Sequence, residues 1–199
     1  MRTLARMSAI AAAVLLAGCT TTYVSPVEVT RFIGDQPQVL GSGPIAVRAG
    51  PGAEQDSLEL NVFRDAVARQ LQEHGYVIID GDAPQLAEVT VNLAVEQPGG
   101  GGSPVSGGVG VGGGTHTRGT SVGVGVGIDL TPRPSERLHR ELRVMIKPAQ
   151  GGTALWEGRA RFTATANSGF AETQAAATKL ADALFGGFPG QSGETIEVE

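Results

Sequence analysis

Three runs of strict two-residue alternation constrain this chain more than any other feature. Val89, Val91, Leu93 and Val95 alternate with Thr90, Asn92, Ala94 and Glu96, and Leu142, Val144 and Ile146 repeat the pattern within Leu138 to Lys147. Trp156, Gly158, Ala160, Phe162 and Ala164 then alternate with Glu157, Arg159, Arg161, Thr163 and Thr165. Successive side chains of an extended strand point to opposite faces, so each run reads as a strand with one buried and one wetted face. The last two runs, joined through Gly151-Gly152, read as a long antiparallel hairpin.

Elsewhere the period changes to that of a helix. Leu60, Phe63, Val67 and Leu71 form one apolar stripe between about Asp56 and His74. Asp56 or Ser57 is suited to cap its start, and Gly75 sits where a left-handed stop is wanted. Ala177, Leu180 and Leu184 form a second stripe, from about Phe170 to Phe185, with Ser168 as its expected cap and Gly186-Gly187 as its stop. Val27, Val29 and Phe32 suggest a first strand, Pro44 to Val47 a second, and Tyr76 to Ile79 a third. Strands followed by a helix, then strands closed by a helix, predict an α+β domain: a mainly antiparallel sheet with two amphipathic helices on one face. Its expected extent is 28–188, followed by a flexible acidic tail over 189–199.

The amino terminus carries an address. Arg2 and Arg6 precede an apolar run from Ala9 to Ala17, and the small residues Ala17 and Gly18 precede the chain's single cysteine, Cys19. The run is too short to cross a hydrocarbon core, which takes roughly 20 residues. Leu16-Ala17-Gly18-Cys19 resembles the lipobox of bacterial lipoproteins. That resemblance implies cleavage of the signal peptide 1–18 between Gly18 and Cys19, lipidation of Cys19 and a tether over 19–27. Two or three acyl chains hold a protein on a membrane durably, because each buried methylene contributes about 0.8 kcal/mol. Thr20, rather than an aspartate, fits the sorting pattern for onward transfer to the outer membrane.

Removal of 1–18 leaves 181 residues with 15 − 2 = 13 basic and 20 acidic side chains, a net charge of −7. An acidic chain without a basic cluster speaks against nucleic acid as a partner. With Cys19 lipidated, no thiol remains for a disulfide, and the fold has to rest on packing.

Residues 99–127 hold 14 of the 30 glycines. Val122, Val124, Val126 and Ile128 alternate there with Gly123, Gly125 and Gly127, which gives an extended chain one β-branched face and one bare face. Two readings stay open: an interaction arm for envelope proteins or for self-association, and a loose hairpin extension.

Catalytic patterns in the chain lack the context that their chemistry needs. Gly108, Gly110 and Gly113 satisfy G-x-G-x-x-G, with no helix pattern after them and no acidic residue at the ribose distance. Gly119-Thr120-Ser121-Val122-Gly123 satisfies G-x-S-x-G, but the serine opens a Val/Gly alternation rather than a helix. His74, His116 and His139 stand at unrelated spacings, so no metal site is expected. Asp80 and Asp82 flank a turn glycine, and Arg159 and Arg161 share a strand face suited to cross-strand pairs or an anion. A hydrolase built on Ser121, or on Asp80 with Asp82, has no visible activating partner. No catalytic residue and no cofactor is assigned.

Taken in order, these motifs resemble a wider group. The lipobox is followed by the helix end Leu71-Gln72-Glu73-His74-Gly75-Tyr76 and the strand Glu88-Val89-Thr90-Val91. The Gly/Val insert and the hairpin Ala154-Leu155-Trp156-Glu157-Gly158 come next. Over roughly 23–188 they look like a family of bacterial envelope lipoproteins defined by a domain of unknown function. Ala149-Gln150 stand where that family carries an aspartate. The resemblance implies a periplasm-facing α+β domain on the outer membrane and brings no catalytic residues. The expectation is a non-enzymatic binding or assembly role in the cell envelope. The alternative is a module for a small apolar or lipid ligand, with Tyr76, Trp156 and Phe162 either facing that ligand or packed in the core.

Overall fold

The computed structural model describes residues 21–54, 57–97, 105–110, 123–128 and 135–199. The expected export signal with Gly18 and Cys19 lies outside them, as do Asp56, Gly113, His116 and most of the G-x-S-x-G segment around Ser121. The chain divides into two units, a body over Thr22–Gln97 and Ser135–Glu199, and a second comprising Met1–Thr21 and Pro98–Pro134.

The elements in chain order are β1 (Val27–Ile33), β2 (Gly43–Ala49), α1 (Leu58–Glu73), β3 (Tyr76–Ile78), β4 (Gln85–Glu96), β5 (Val105–Gly110) and β6 (Gly123–Ile128). They continue with β7 (Arg137–Pro148), β8 (Trp156–Thr165), α2 (Thr173–Phe185) and β9 (Thr195–Val198). The body is an α+β fold with a seven-stranded sheet in the order β3-β2-β4-β7-β8-β1-β9. β2 runs parallel to β3 and β4, and the other four pairings are antiparallel. In the second unit, β5 and β6 pair antiparallel. Their register sets Val105, Gly107 and Val109 opposite Ile128, Val126 and Val124, and glycine or serine at the intervening positions.

Both helices lie on the face of the sheet that carries Val27, Val29, Val89, Leu142, Val144, Ile146 and Ala160. α1 buries Leu60, Phe63, Ala66, Val67 and Leu71, and α2 buries Ala176, Ala177, Leu180, Ala181, Leu184 and Phe185. Ser57 caps α1, its Oγ accepting from the Leu60 N–H at 3.4 Å. Gly75 ends it at φ +96°, where a Cβ would also lie 2.6 Å from the Gly41 carbonyl oxygen. α2 starts later than its pattern suggests. Ser168 caps no helix; a 3-10 turn over Gly169–Ala171 intervenes, and Glu172 is the N-cap.

The Trp156-Glu157-Gly158 motif has a steric basis. Residues two apart share a strand face, and the Trp156 indole folds over Gly158. A Cβ at Gly158 would strike the ring and come within 2.8 Å of Leu184 Cδ1. The indole stacks on Phe185 at 5.4 Å, touches Phe188 at 5.2 Å, and donates from Nε1 to the Pro189 carbonyl at 2.9 Å.

The body assigns the faces of β1 and corrects the expected tail and tether. β1 forms where expected and includes Phe32, which is 51% exposed on its outer face, while Arg31 continues the inward face. Phe32 is out of phase with Val27 and Val29, and alternation prevails over hydrophobicity. Arg31 is 5% exposed, and its guanidinium lies at the end of α2. Nε donates to the Leu184 carbonyl at 2.9 Å, and Nη2 donates to those of Ala183 at 2.9 Å and Gly186 at 2.7 Å. The last carbonyls of a helix have no intrahelical partner and carry partial negative charge, which suits a cation. Burial lowers the Arg31 pKa from its ordinary value, and Glu194 draws it back up.

The tail over 189–199 is not free. Gly190 packs on the Arg31 side chain, the Gly193 N–H donates to the Arg31 carbonyl, and β9 adds to the open edge of β1. An unpaired edge of backbone groups and the indole N–H supply the partners that order it. The part of the expected tether from Tyr23 onward is likewise bound to the body, because Val24 bridges Ala164 and the Thr165 N–H donates to the Tyr23 carbonyl.

Arg31→Met leaves three helix-end carbonyls in an apolar layer. The expected loss is about 3 kcal/mol in urea unfolding, because a broken buried network exposes unpaired groups rather than one weak contact. Arg31→Lys recovers only part of it, since an ammonium cannot span three acceptors. A loss below about 1 kcal/mol for the methionine variant would remove Arg31 from this role.

Candidate functional site

The face of the sheet turned away from the helices is a lattice of charge built by register. One row runs Asn92, Glu141, Arg161, Glu28 and Glu197 across β4, β7, β8, β1 and β9. The next runs Thr90, Arg143, Arg159, Thr30 and Thr195. Glu28 Oε2 accepts from Arg161 Nε at 2.8 Å and Nη2 at 2.5 Å. Lys147 pairs with Glu88 at 2.6 Å.

Glu141 is the hub. It accepts from Arg143 Nε at 2.6 Å and Asn92 Nδ2 at 3.4 Å, and Arg159 Nε stands 3.9 Å away. Arg143 and Arg159 are directly opposite each other, an arrangement of like charges that costs stability unless a carboxylate lies between. Arg159 and Arg161 thus take cross-strand partners, the plainer of the two roles open to them.

His139, isolated in the sequence, gains neighbours from adjacent strands. Its Nε2 lies 3.0 Å from Glu96 Oε2 and its Nδ1 2.9 Å from Thr163 Oγ1. A hydroxyl, an imidazole and a carboxylate in line are the components of a proton relay. Here both Glu96 and His139 are open to water, and the trio ties β4, β7 and β8 together as an orienting network. His139 and Thr163, with Ser25, Glu28, Asn92, Glu141 and Arg161, line a cleft of about 400 Å³. Sequence spacing could not show it, because only the β4–β7–β8 register brings the three together.

Tyr76, Trp156 and Phe162 are core residues, 3%, 0% and 3% exposed. Phe162 meets Phe170 edge-on at 6.1 Å, and Tyr76 meets Phe188 at 6.4 Å. Burial raises the Tyr76 phenol pKa from its ordinary value, opposed by the Gly41 backbone. His74 caps the end of α1 and packs on Phe188 at 5.2 Å. Asp80 and Asp82 are exposed in a turn whose Gly81 carbonyl accepts from Arg48 Nη2 at 2.6 Å. No group of three or more metal-ligating side chains gathers among the described residues. An apolar groove of about 870 Å³ runs between α2 and β9, lined by Val27, Phe170, Ala175, Lys179, Ala183 and Val198.

No family model matches the chain. An uncharacterized protein of Zymomonas mobilis subsp. mobilis is 38% identical over 65 residues, which are 33% of this chain and 24% of that relative. The match thus spans about a quarter of the relative's length. Among solved structures, a PDZ domain protein from Parabacteroides distasonis aligns with a TM-score of 0.49 at 9% identity. That alignment covers 89% of this chain and 38% of the other. The PelC dodecamer from Paraburkholderia phytofirmans aligns with a TM-score of 0.42 at 12% identity, over 78% of this chain and 91% of the other.

Glu141→Gln leaves Arg143 and Arg159 facing each other without their shared carboxylate. The expected loss is up to about 1 kcal/mol by thermal unfolding at low salt, shrinking toward zero at 1 M salt as the repulsion is screened. A loss that does not respond to salt would assign Glu141 a packing role instead.

Proposed function

We propose that the protein is a lipid-anchored, periplasm-facing lipoprotein of the outer membrane, with a binding or assembly role in the cell envelope rather than a catalytic one. The observation that carries this reading is the distance between the lipobox and the body. Only Thr20, Thr21 and Thr22 separate Cys19 from Tyr23, which is already bonded to Thr165. A chain spans at most about 3.6 Å per residue, so a lipidated Cys19 holds this edge of the body within roughly 15 Å of the acyl chains. The resemblance to envelope lipoproteins agrees with that placement. The wetted charge lattice suits a surface that meets soluble or membrane-bound partners. No helix among the described residues is long and apolar enough to cross a membrane, and a lipid anchor needs none.

Cys19→Ala is expected to abolish labelling by a palmitate analogue and to release the protein from sedimenting membranes. Labelling that persists in the variant would overturn the anchor.

The α2–β9 groove favours one second reading, a site for a small apolar or lipid ligand. It moves that ligand away from Tyr76, Trp156 and Phe162, which the core already uses. Native mass spectrometry of protein extracted from membranes and stripped of its anchor would then show a bound lipid-sized mass, reduced several-fold in Ala175→Trp. A protein that is empty in every preparation excludes this reading.

A further inference from the structure

The large apolar side chains left exposed are unevenly placed. Among the described residues they are Tyr23, Phe32, Leu58, Val77, Leu93 and Val95. Val24, Ala164, Leu138 and Val95 form one row across β8, β7 and β4 at one end of the sheet. Tyr23 (49% exposed) and Val95 (52%) sit in or beside that row, and Leu93 (45%) is one pleat back. Leu58, 83% exposed, starts α1 at the same end: its neighbour Glu59 accepts from Arg140, the register partner of Leu93. Four of the six thus share one end, whereas Val77 lies at the other, beside the start of β2.

The same end receives the amino terminus, and it is where the chain leaves for the glycine-rich unit after Gln97 and returns at Ser135. Adjacent strands are about 4.8 Å apart, so the row from Val24 to Val95 spans about 14 Å. That is comparable with the longest reach from Cys19 to Tyr23.

We propose that this end of the sheet is a bilayer-contact surface, with Tyr23, Leu58, Leu93 and Val95 seated in the interfacial layer of the membrane that holds Cys19. The proposal rests on the lipoprotein reading, and it adds an orientation: strands β4 and β7 stand end-on to the bilayer, and β3 and the turn at Asp80–Asp82 point away from it. The length of the tether selects the occupant. A three-residue link cannot lift this end clear of the headgroups, so the surface that faces it is lipid. An aromatic with a polar tip suits the interfacial region. Arg137 lies 5.9 Å from the centroid of the Tyr23 ring, a cation placed among the same groups. Of the carboxylates at this end, Glu59, Glu96 and Glu136 are engaged by Arg140, His139 and Gln97. With both acids and bases present, the contact depends on apolar burial and on the anchor, not on net positive charge.

The chain has a single cysteine, and lipidation consumes its thiol, so introduced cysteines are unique labelling sites. Full-length mature lipoprotein with Val95→Cys or Val77→Cys is labelled with an environment-sensitive fluorophore. It is then reconstituted into vesicles of phosphatidylethanolamine and phosphatidylglycerol containing nitroxide-bearing lipid. The Val95 label is expected to shift to the blue and to be quenched several-fold more than the Val77 label. Equal, water-like signals from both sites in protein that floats with vesicles and carries its acyl mass would overturn the contact surface while leaving the anchor standing. Protein that lacks the acyl mass would overturn both. Self-quenching at Val95 that is relieved by excess unlabelled protein would assign the patch to a second copy and overturn the bilayer contact.

Discussion

One buried cation joins parts of this fold that are far apart in sequence. The Arg31 guanidinium, on a strand next to the sheet edge, reaches the carbonyls that close α2 more than 150 residues later. Its own backbone carbonyl accepts from Gly193, and its methylene stem supports Gly190. Burying an arginine is costly unless its donors are paired, and a helix carboxyl end offers several acceptors with the right sign of charge. The pairing fixes where α2 stops, and that stop aims Phe185 and Phe188 at Trp156. The indole in turn holds Pro189, so the carboxyl-terminal segment arrives beside β1 with its backbone ready to pair. Removal of the charge would disturb the helix end, the aromatic cluster and the edge strand together.

The sheet divides labour between its faces. The helix side is apolar and nearly dry, and it supplies the packing that a chain without disulfides has to rely on. The other side gains little from any single ion pair, since each exposed pair contributes at most about 1 kcal/mol. Its effect is on register: Glu141 between two arginines, and Arg161 on Glu28, match only in one alignment of β1, β7 and β8. A slip by one residue would turn both faces inside out, so packing and charge select the same pairing.

That division explains what could be read in the sequence. The long strands, α1 and the course of α2 follow from periods of two and of 3.6, and the structure bears out the α+β class. Periodicity fails where one residue serves a tertiary purpose. Arg31 occupies an inward position because a helix end lies over it, and no local pattern announces that. The residues 189–199 lack an apolar run, yet they are ordered by an open sheet edge and an indole N–H that belong to distant segments. His139, Glu96 and Thr163 meet only once three strands are in register. Tyr76, Trp156 and Phe162 were legible as buried aromatics, but not which of them a ligand would touch; the core takes all three.

The end of the sheet beside the amino terminus needs its own explanation. β4 and β7 stay paired as far as Glu96 and Arg137, beyond the row of Val91 and Leu142, the last in which both residues pack on the apolar core. Holding the root of the glycine-rich unit accounts for the backbone pairing, which any side chain permits. It does not account for Leu93 and Val95, which keep the helix-side positions apolar where no helix lies over them, while Asn92, Ala94 and Glu96 on the same strand are small or polar. A water-facing strand end would lose nothing by carrying threonine at both positions. Apolar residues there suit a surface that is taken out of water, and under the proposed anchoring at Cys19 the three-residue link would bring the bilayer against it.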